Sequence, residues 1–440
     1  TADTGDITLT TTSLPPAFLG LGTITASAGN VTVTAEHAIL DDNGAALNIT
    51  GQNIWLTSNG GGSAGGLAIS MDTQASGWIK GKVNGGVGGI AIRNAGDFGP
   101  AFNASNYFDL DDSAAASGNS VGFHTAGNLD MGGASFKLLT NNAGDAAASA
   151  GGDLTYNGGV VFQTSTGVPY GRVVLQAGND LTVNGLLGAV NGSINLSAGH
   201  QLAIHQAVTA TDDIMLFAPV IDVTHPVSAS GSIAVVGATV DISGIGSLSA
   251  AEVDVAASDL TMLGNGAEIW ASAGDVRGIF LGHVTLNDGA HIKAPVGDVK
   301  LAFLGADSTL YLNDAPGYSN PSYIMASPST VNLAFTNRDS GGIVIDGSET
   351  ATTVAGGSGF YTGGPPGVGT PLAKGAGLVI AYPNPVGLEI LAVLANAIER
   401  ATDAVDAGSS PTDGDGGPQP GEGRRGLQDR AEGGGDGGVL

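Results

Sequence analysis

Val173-Val174-Leu175, Ile194-Asn195-Leu196, Ile214-Met215-Leu216, Ile233-Ala234-Val235 and Val253-Asp254-Val255, followed by Val276 and Val299, recur at steps of 21, 20, 19, 20, 23 and 23 residues. A second series is interleaved with them: Leu181-Thr182-Val183, Leu202-Ala203-Ile204, Ile221-Asp222-Val223, Val240-Asp241-Ile242, Leu260-Thr261-Met262, Val284-Thr285-Leu286 and Leu310-Tyr311-Leu312. A third, fainter series places Val190, Val208, Val227, Leu248, Ile269 and Ile292 between the two. Three short strands per turn at a near-constant period of about 20 residues predict a solenoid.

Strand side chains alternate with period two, so the outer residues of each triplet point one way and the middle residue the other. The outer pair is aliphatic and the middle residue is often Asp, Asn, Thr or Ala. Each coil therefore turns an aliphatic lining inward, which a single coil cannot bury and a stack of coils can. If residues 1–350 all coil at this period, roughly 17 turns give a rod near 80 Å long. Earlier triplets, such as Ile7-Thr8-Leu9, Val31-Thr32-Val33, Ile54-Trp55-Leu56 and Leu129-Asp130-Met131, fit with looser spacing. The 74 glycines among 440 residues place one at most corners, where positive φ is expected. Charged residues make up only 12% of the chain, about half the usual share. Thr, Ser and Asn then supply the wet face, since long like charges stacked at strand spacing repel.

The stretch 84–125 breaks the rhythm and is predicted to leave the rod as an insertion. Its Phe98, Phe102, Tyr107, Phe108, Asp109, Asp111 and Asp112 are the candidate binding residues, because insertions in solenoids often carry the binding face. Trp55 and Trp270 lie inside strand-like runs and are expected to fill the coil interior or a rod end. Residues 351–385, rich in Gly and Pro, predict a linker or end cover. Leu388, Leu391, Leu394 and Ile398 then fall at helical spacing, predicting an amphipathic helix over 386–407 that caps the exposed strand edges. The acidic remainder, 408–440, is expected to be disordered.

Charge excludes some functions. A net charge of −26 with only 14 Lys and Arg argues against nucleic acid and against anionic membrane surfaces. No apolar run long enough for membrane insertion is present. With no cysteine, disulfides and thiolate metal sites are ruled out, which suits a secreted bacterial protein. The lack of a signal peptide and of an initiating Met is expected of a mature form or a fragment.

Ala177-Gly178-Asn179-Asp180-Leu181-Thr182-Val183, Ala28-Gly29-Asn30-Val31-Thr32-Val33 and Ser197-Ala198-Gly199-His200-Gln201-Leu202-Ala203-Ile204 share Ala-Gly, a polar residue and then an alternating apolar triplet. This repeat style resembles that of filamentous-haemagglutinin-like exoproteins, the cargo of bacterial two-partner secretion, over residues 1–350. The resemblance implies an all-β, right-handed parallel β-helix. It further implies export through an outer-membrane transporter and an adhesive role at the outer cell surface or outside the cell. The partners then expected are host or bacterial surface glycans or proteins, with lateral self-association of rods as a further expectation. An N-terminal secretion domain is not evident, so a central or C-terminal portion is expected.

Two alternatives stand beside this. A carbohydrate-active β-helix enzyme needs paired carboxylates. Asp222 and Asp241, middle residues of consecutive triplets, are the ladder neighbours that fit, also as oxygen ligands for a hard cation; the plainer reading is two solvated carboxylates. Haem or metal capture would use His200, His205 and His225, yet the register sets Thr224 rather than His225 beside His205. No catalysis, cofactor or resident metal is expected.

Overall fold

The computed structural model describes residues 1–2, 4–12, 18–62, 66–115, 120–140, 144–163, 171–305, 307–313, 322–326 and 331–335. Further strands lie at Gly342–Asp346, Thr353–Gly356, Gly359–Thr362 and Leu378–Ala381. The chain is all-β among the described residues, and its parallel strands stack into a β-solenoid of about 12 turns, ~23 residues apart. At about 4.8 Å per coil the rod is about 60 Å long. It is shorter than the strict 20-residue period predicts because coils are longer outside the central region. Steps in the first ladder grow to 31 residues between Ile90 and Val121 and to 32 between Val299 and Val331.

Three sheets run along the rod, of 22, 10 and 9 strands. The first triplet series forms the first ladder: Val173, Ile194, Ile214, Ile233, Val253, Val276 and Val299 are consecutive register partners. The second series forms the second ladder, from Leu181 through Leu202, Ile221, Val240, Leu260 and Val284 to Leu310. In the third ladder Val208, Val227, Leu248, Ile269 and Ile292 pair as read, but the residue before Val208 is Leu187. Val190 instead stands exposed beside Asn191, a positive-φ corner. The last pairing of this sheet reverses direction: Thr353–Gly356 is antiparallel to Gly359–Thr362.

The rod changes cross-section along its length. In the coil that begins at Ile69 the chain passes from Ile69–Ala75 in the first ladder straight to Ile79–Val83, in a side ladder that starts at Ile7–Thr10. One coil later Phe98 bridges to Leu129, and from there the second ladder opens between the other two. The described residues of 84–125 therefore belong to the coils and are not an excursion: Ile90–Asn94, Phe108–Asp111 and Val121–Thr125 all pair with strands before and after them. The added side widens the interior, and phenylalanines fill it. Phe98, Phe108, Phe123 and Phe136 are fully buried, with ring centroids 4.4 Å apart for Phe108–Phe123, 5.0 Å for Phe98–Phe123 and 4.9 Å, edge-on, for Phe108–Phe136. They join one apolar core that runs from Leu21 to Leu333.

The Ala-Gly-polar signature is a corner built for close stacking. A Cβ on Gly178 would collide with the Gly151 carbonyl, and one on Gly199 with the Gly178 carbonyl, so side chains are excluded by the neighbouring coil rather than by φ. The polar residue that follows satisfies the corner of the next coil. Asp97 Oδ1 accepts from the Asn128 backbone N–H at 2.8 Å, Asn128 Oδ1 from Asp153 N–H at 2.8 Å, and Asp153 Oδ1 from the Asn179 side-chain amide at 2.7 Å. Corner backbone groups left without strand partners thus find side chains one coil away.

The ladders continue past residue 350, with Thr353–Gly356 and Leu378–Ala381 extending the third and first. The expected helix over 386–407 and tail over 408–440 lie outside the described residues. For the aromatic cluster, Phe108→Ala is expected to cost about 3–5 kcal/mol, whereas Phe102→Ala, at an exposed side chain, should stay within about 0.5 kcal/mol. Urea unfolding followed by far-UV circular dichroism reads both.

Candidate functional site

The seven candidate residues at 98–112 part company in the structure. Phe98 and Phe108 belong to the core, where no ligand reaches them. Phe102 is exposed, in the turn after Gly99. Tyr107 is half-buried and stacks on Trp78, with centroids 6.3 Å apart and planes at 29°. Asp109 pairs with Lys137 at 3.1 Å. Asp111 Oδ1 accepts from the Ser113 backbone N–H at 3.0 Å and from the Ser113 hydroxyl at 2.5 Å.

Asp112 is the exception. Alternation along Phe108–Asp111 carries it to the inward side, at 0% exposure. Its backbone N–H donates to Leu139 O at 2.8 Å, but neither carboxylate oxygen has a hydrogen-bond partner. Burial pushes its pKa up to about 8, with the charge of Asp111 adding to the shift. Buried Asn48 and Thr73, by contrast, do find partners: Asn48 donates to Leu21 O at 2.8 Å and Thr73 to Arg93 O at 3.0 Å. Asp112 therefore sits in the core as the neutral acid near neutral pH.

Asp222 and Asp241 are register partners on the outward side of the second ladder, as their spacing predicts. Burial raises the pKa of Asp241, a hydrogen bond with Thr261 lowers it, and the charge of Asp222 raises it again. Among the described residues no group of three or more His, Cys, Asp and Glu converges to hold a metal ion. The histidines are occupied separately: His200 Nδ1 lies 2.7 Å from Asp180, His205 Nδ1 3.2 Å from the Asn184 side chain, and His225 Nδ1 3.1 Å from the Thr224 hydroxyl. Thr224 N–H donates to Ile204 O, which keeps His225 out of register with His205. A shallow depression outside the first ladder is lined by Arg172, Ser193, Asn195 and Met215. There the Arg172 guanidinium is held by both oxygens of Asp145 at 2.8–3.3 Å.

The tryptophans depart furthest from expectation. Trp55 and Trp270 fill no interior; both are outward middle residues, 46% and 41% exposed. Their flanking residues Ile54, Leu56, Ile269 and Ala271 are the buried ones. The alternation rule applied to Ile54-Trp55-Leu56 points to this placement; residue size points the other way.

No protein-family model matches the chain, and neither the curated proteins nor the solved structures contain a match to it.

The Asp112 carboxyl has a measurable signature. Its folded pKa of about 8 lies above the unfolded 3.8, so within that window the folded state binds a proton that the unfolded state lacks. Stability attributable to this residue therefore falls as pH rises from about 4 to 8, on the order of a few kcal/mol across the window. Asp112→Asn is expected to melt higher than the parent at pH 8, with the difference shrinking as pH falls toward 4. Thermal unfolding at several pH values checks it; a constant difference would contradict the buried neutral acid.

Proposed function

We propose that the chain is an adhesin-type structural rod, akin to filamentous-haemagglutinin-like exoproteins. In this reading it is exported through an outer-membrane transporter and works outside the cell or on the bacterial outer surface. Its outward side chains hold glycans or proteins of host or neighbouring cells. The β-solenoid is compatible with such a rod. One observation carries the reading: the core is continuous and closed along the coils, while large aromatic side chains that fill no interior, Trp55 and Trp270 among them, face outward. A ligand then meets ladders of side chains at strand spacing, fixed by a scaffold that has no need to move. Exposed indoles on such a scaffold are suited to stacking on sugar rings or anchoring a partner protein.

The Asp222–Asp241 pair favours a second reading, a carbohydrate-active enzyme using one carboxyl as acid and the other as base. One pair of assays separates the two. The full chain, immobilised and exposed to a glycan array and to intact cells, is expected to retain surface saccharides or cells. Incubated with soluble polysaccharides, it is expected to leave their chain length unchanged. Retention of nothing would overturn the rod reading, and shortened chains whose formation is abolished by Asp241→Asn would replace it with the enzyme.

A further inference from the structure

Cations are scarce in this chain, and among the described residues most are neutralised. Lys137 pairs with Asp109, Arg172 with Asp145, Arg277 with Glu252 and Asp254, Lys293 with Glu268, and Lys300 with Asp275, all at 2.7–3.1 Å. Lys80 and Lys82 differ. They stand at alternate, outward positions of Ile79–Val83, and neither amine makes an ion pair or a hydrogen bond within the described structure. Two unpaired ammonium groups side by side on a chain of net charge −26 gain nothing for the fold from each other, since like charges repel.

Their surroundings are aromatic and hydroxylic. Lys80 Nζ lies 4.9 Å from the Trp78 ring centroid and 5.6 Å from that of Tyr107, and these two rings stack on each other. On the preceding coil, Trp55 is the register partner of Lys80 and Thr57 that of Lys82. One coil earlier Thr32 and Thr34 occupy the same two rows. Along the rod the rows thus read Thr32–Trp55–Lys80 and Thr34–Thr57–Lys82, one strand spacing per step. On the other side the rows continue through Asp109 and Asp111 to Lys137 and Leu139, and Asp109 is already matched by Lys137.

Each group has a complement in an acidic sugar. An exposed indole offers a flat apolar face to the C–H face of a pyranose ring. Paired ammonium groups make charge-assisted hydrogen bonds to a carboxylate. Threonine hydroxyls both donate to and accept from sugar hydroxyls. A neutral sugar would leave the amines unused. Duplex nucleic acid, with one charge per about 1.7 Å of axis, would overrun two amines and meet the acidic residues beside them.

Building on the rod reading above, we infer that the strip formed by Trp55, Lys80 and Lys82 binds a carboxylate-bearing saccharide. A sugar ring lies on the Trp55 indole and its carboxylate sits between the two amines. Trp78 and Tyr107 brace the Lys80 ammonium from below, and Thr57 serves the ring hydroxyls.

Isothermal titration of the full chain with an oligogalacturonate and with its methyl ester tests this, because esterification caps the carboxylate and removes its charge while leaving the sugar rings and hydroxyls in place. The acid is expected to bind at least about tenfold more tightly than the ester, the worth of one or two hydrogen bonds to a charged group. Lys80→Gln with Lys82→Gln should bring the acid down to the ester's affinity and leave the ester unchanged. Trp55→Ala should weaken both ligands, and Trp270→Ala neither. These side chains are outward-facing, so unchanged melting temperatures will show that the variants remain folded. Equal binding of acid and ester, or an undiminished affinity in Trp55→Ala, would overturn the inference. If the chain retains other glycans on the array but not the oligogalacturonate, the strip assignment fails while the rod reading stands. If it retains nothing, both fail.

Discussion

In an in-register parallel stack, every side chain has as its nearest neighbours the equivalent residues one coil above and one below. Each position must therefore tolerate a copy of its own kind. Inward rows meet this demand with Val, Ile and Leu, whose contacts with like residues are favourable. Outward rows meet it with Thr, Ser and Asn, which hydrogen-bond without mutual repulsion. Corner rows meet it with glycine, where two backbones approach too closely for a Cβ, and with alternating Asn and Asp, each accepting from the coil that follows. Where cations enter the later coils they are matched by acids: Arg277 is held by its register partner Asp254 and by Glu252, and Lys300, next in the row, by Asp275, whereas Asp222 and Asp241 stand as like-charged partners.

This constraint made the middle of the rod readable from its residues. Both aliphatic series from 173 to 312 pair in the structure residue for residue, because the coil length there varies little enough for equivalent triplets to be recognisable from one coil to the next. The reading failed where coil length changes. Phe98 and Phe108 stand between turn-forming, polar segments and interrupt the period, so they suggested a loop with exposed aromatics. They are instead the filling required where a further side is added to the coil. Nothing local in the sequence announces that change of cross-section; only the contact of Phe108 with Phe123 and Phe136, from later coils, explains it. Val190 departs from the predicted ladder for a smaller reason. Leu187 and Val190 are three residues apart in a short strand and turn, and the faint third series lacks a polar middle residue strong enough to fix the phase.

Of the candidate site, the residue types are legible in the sequence and their placement is not. The size of Trp55 suggests that it belongs inside, whereas strict alternation sets it outside between buried Ile54 and Leu56. The two lysines drew no notice in the sequence because their significance is relational. Every strand-borne cation from Lys137 onward has an acid within reach, and that contrast exists only once the register is known. Asp112 is the converse case. Its sequence neighbourhood groups it with Asp109 and Asp111 as a candidate binding residue, but the parity of its position after Phe108–Asp111 turns it inward, apart from the other two.

The reversed pairing of Thr353–Gly356 with Gly359–Thr362 bears on how such rods pack end to end. A stack of identical, co-directional strands is an open template: any further strand of like sequence adds at its edge as readily as the last one did. At this sheet the final strand runs the opposite way, so the matching of like with like stops there. Among the described residues, a second molecule arriving along the axis meets at this edge an antiparallel strand instead of a co-directional copy, so the in-register matching of like with like is interrupted there.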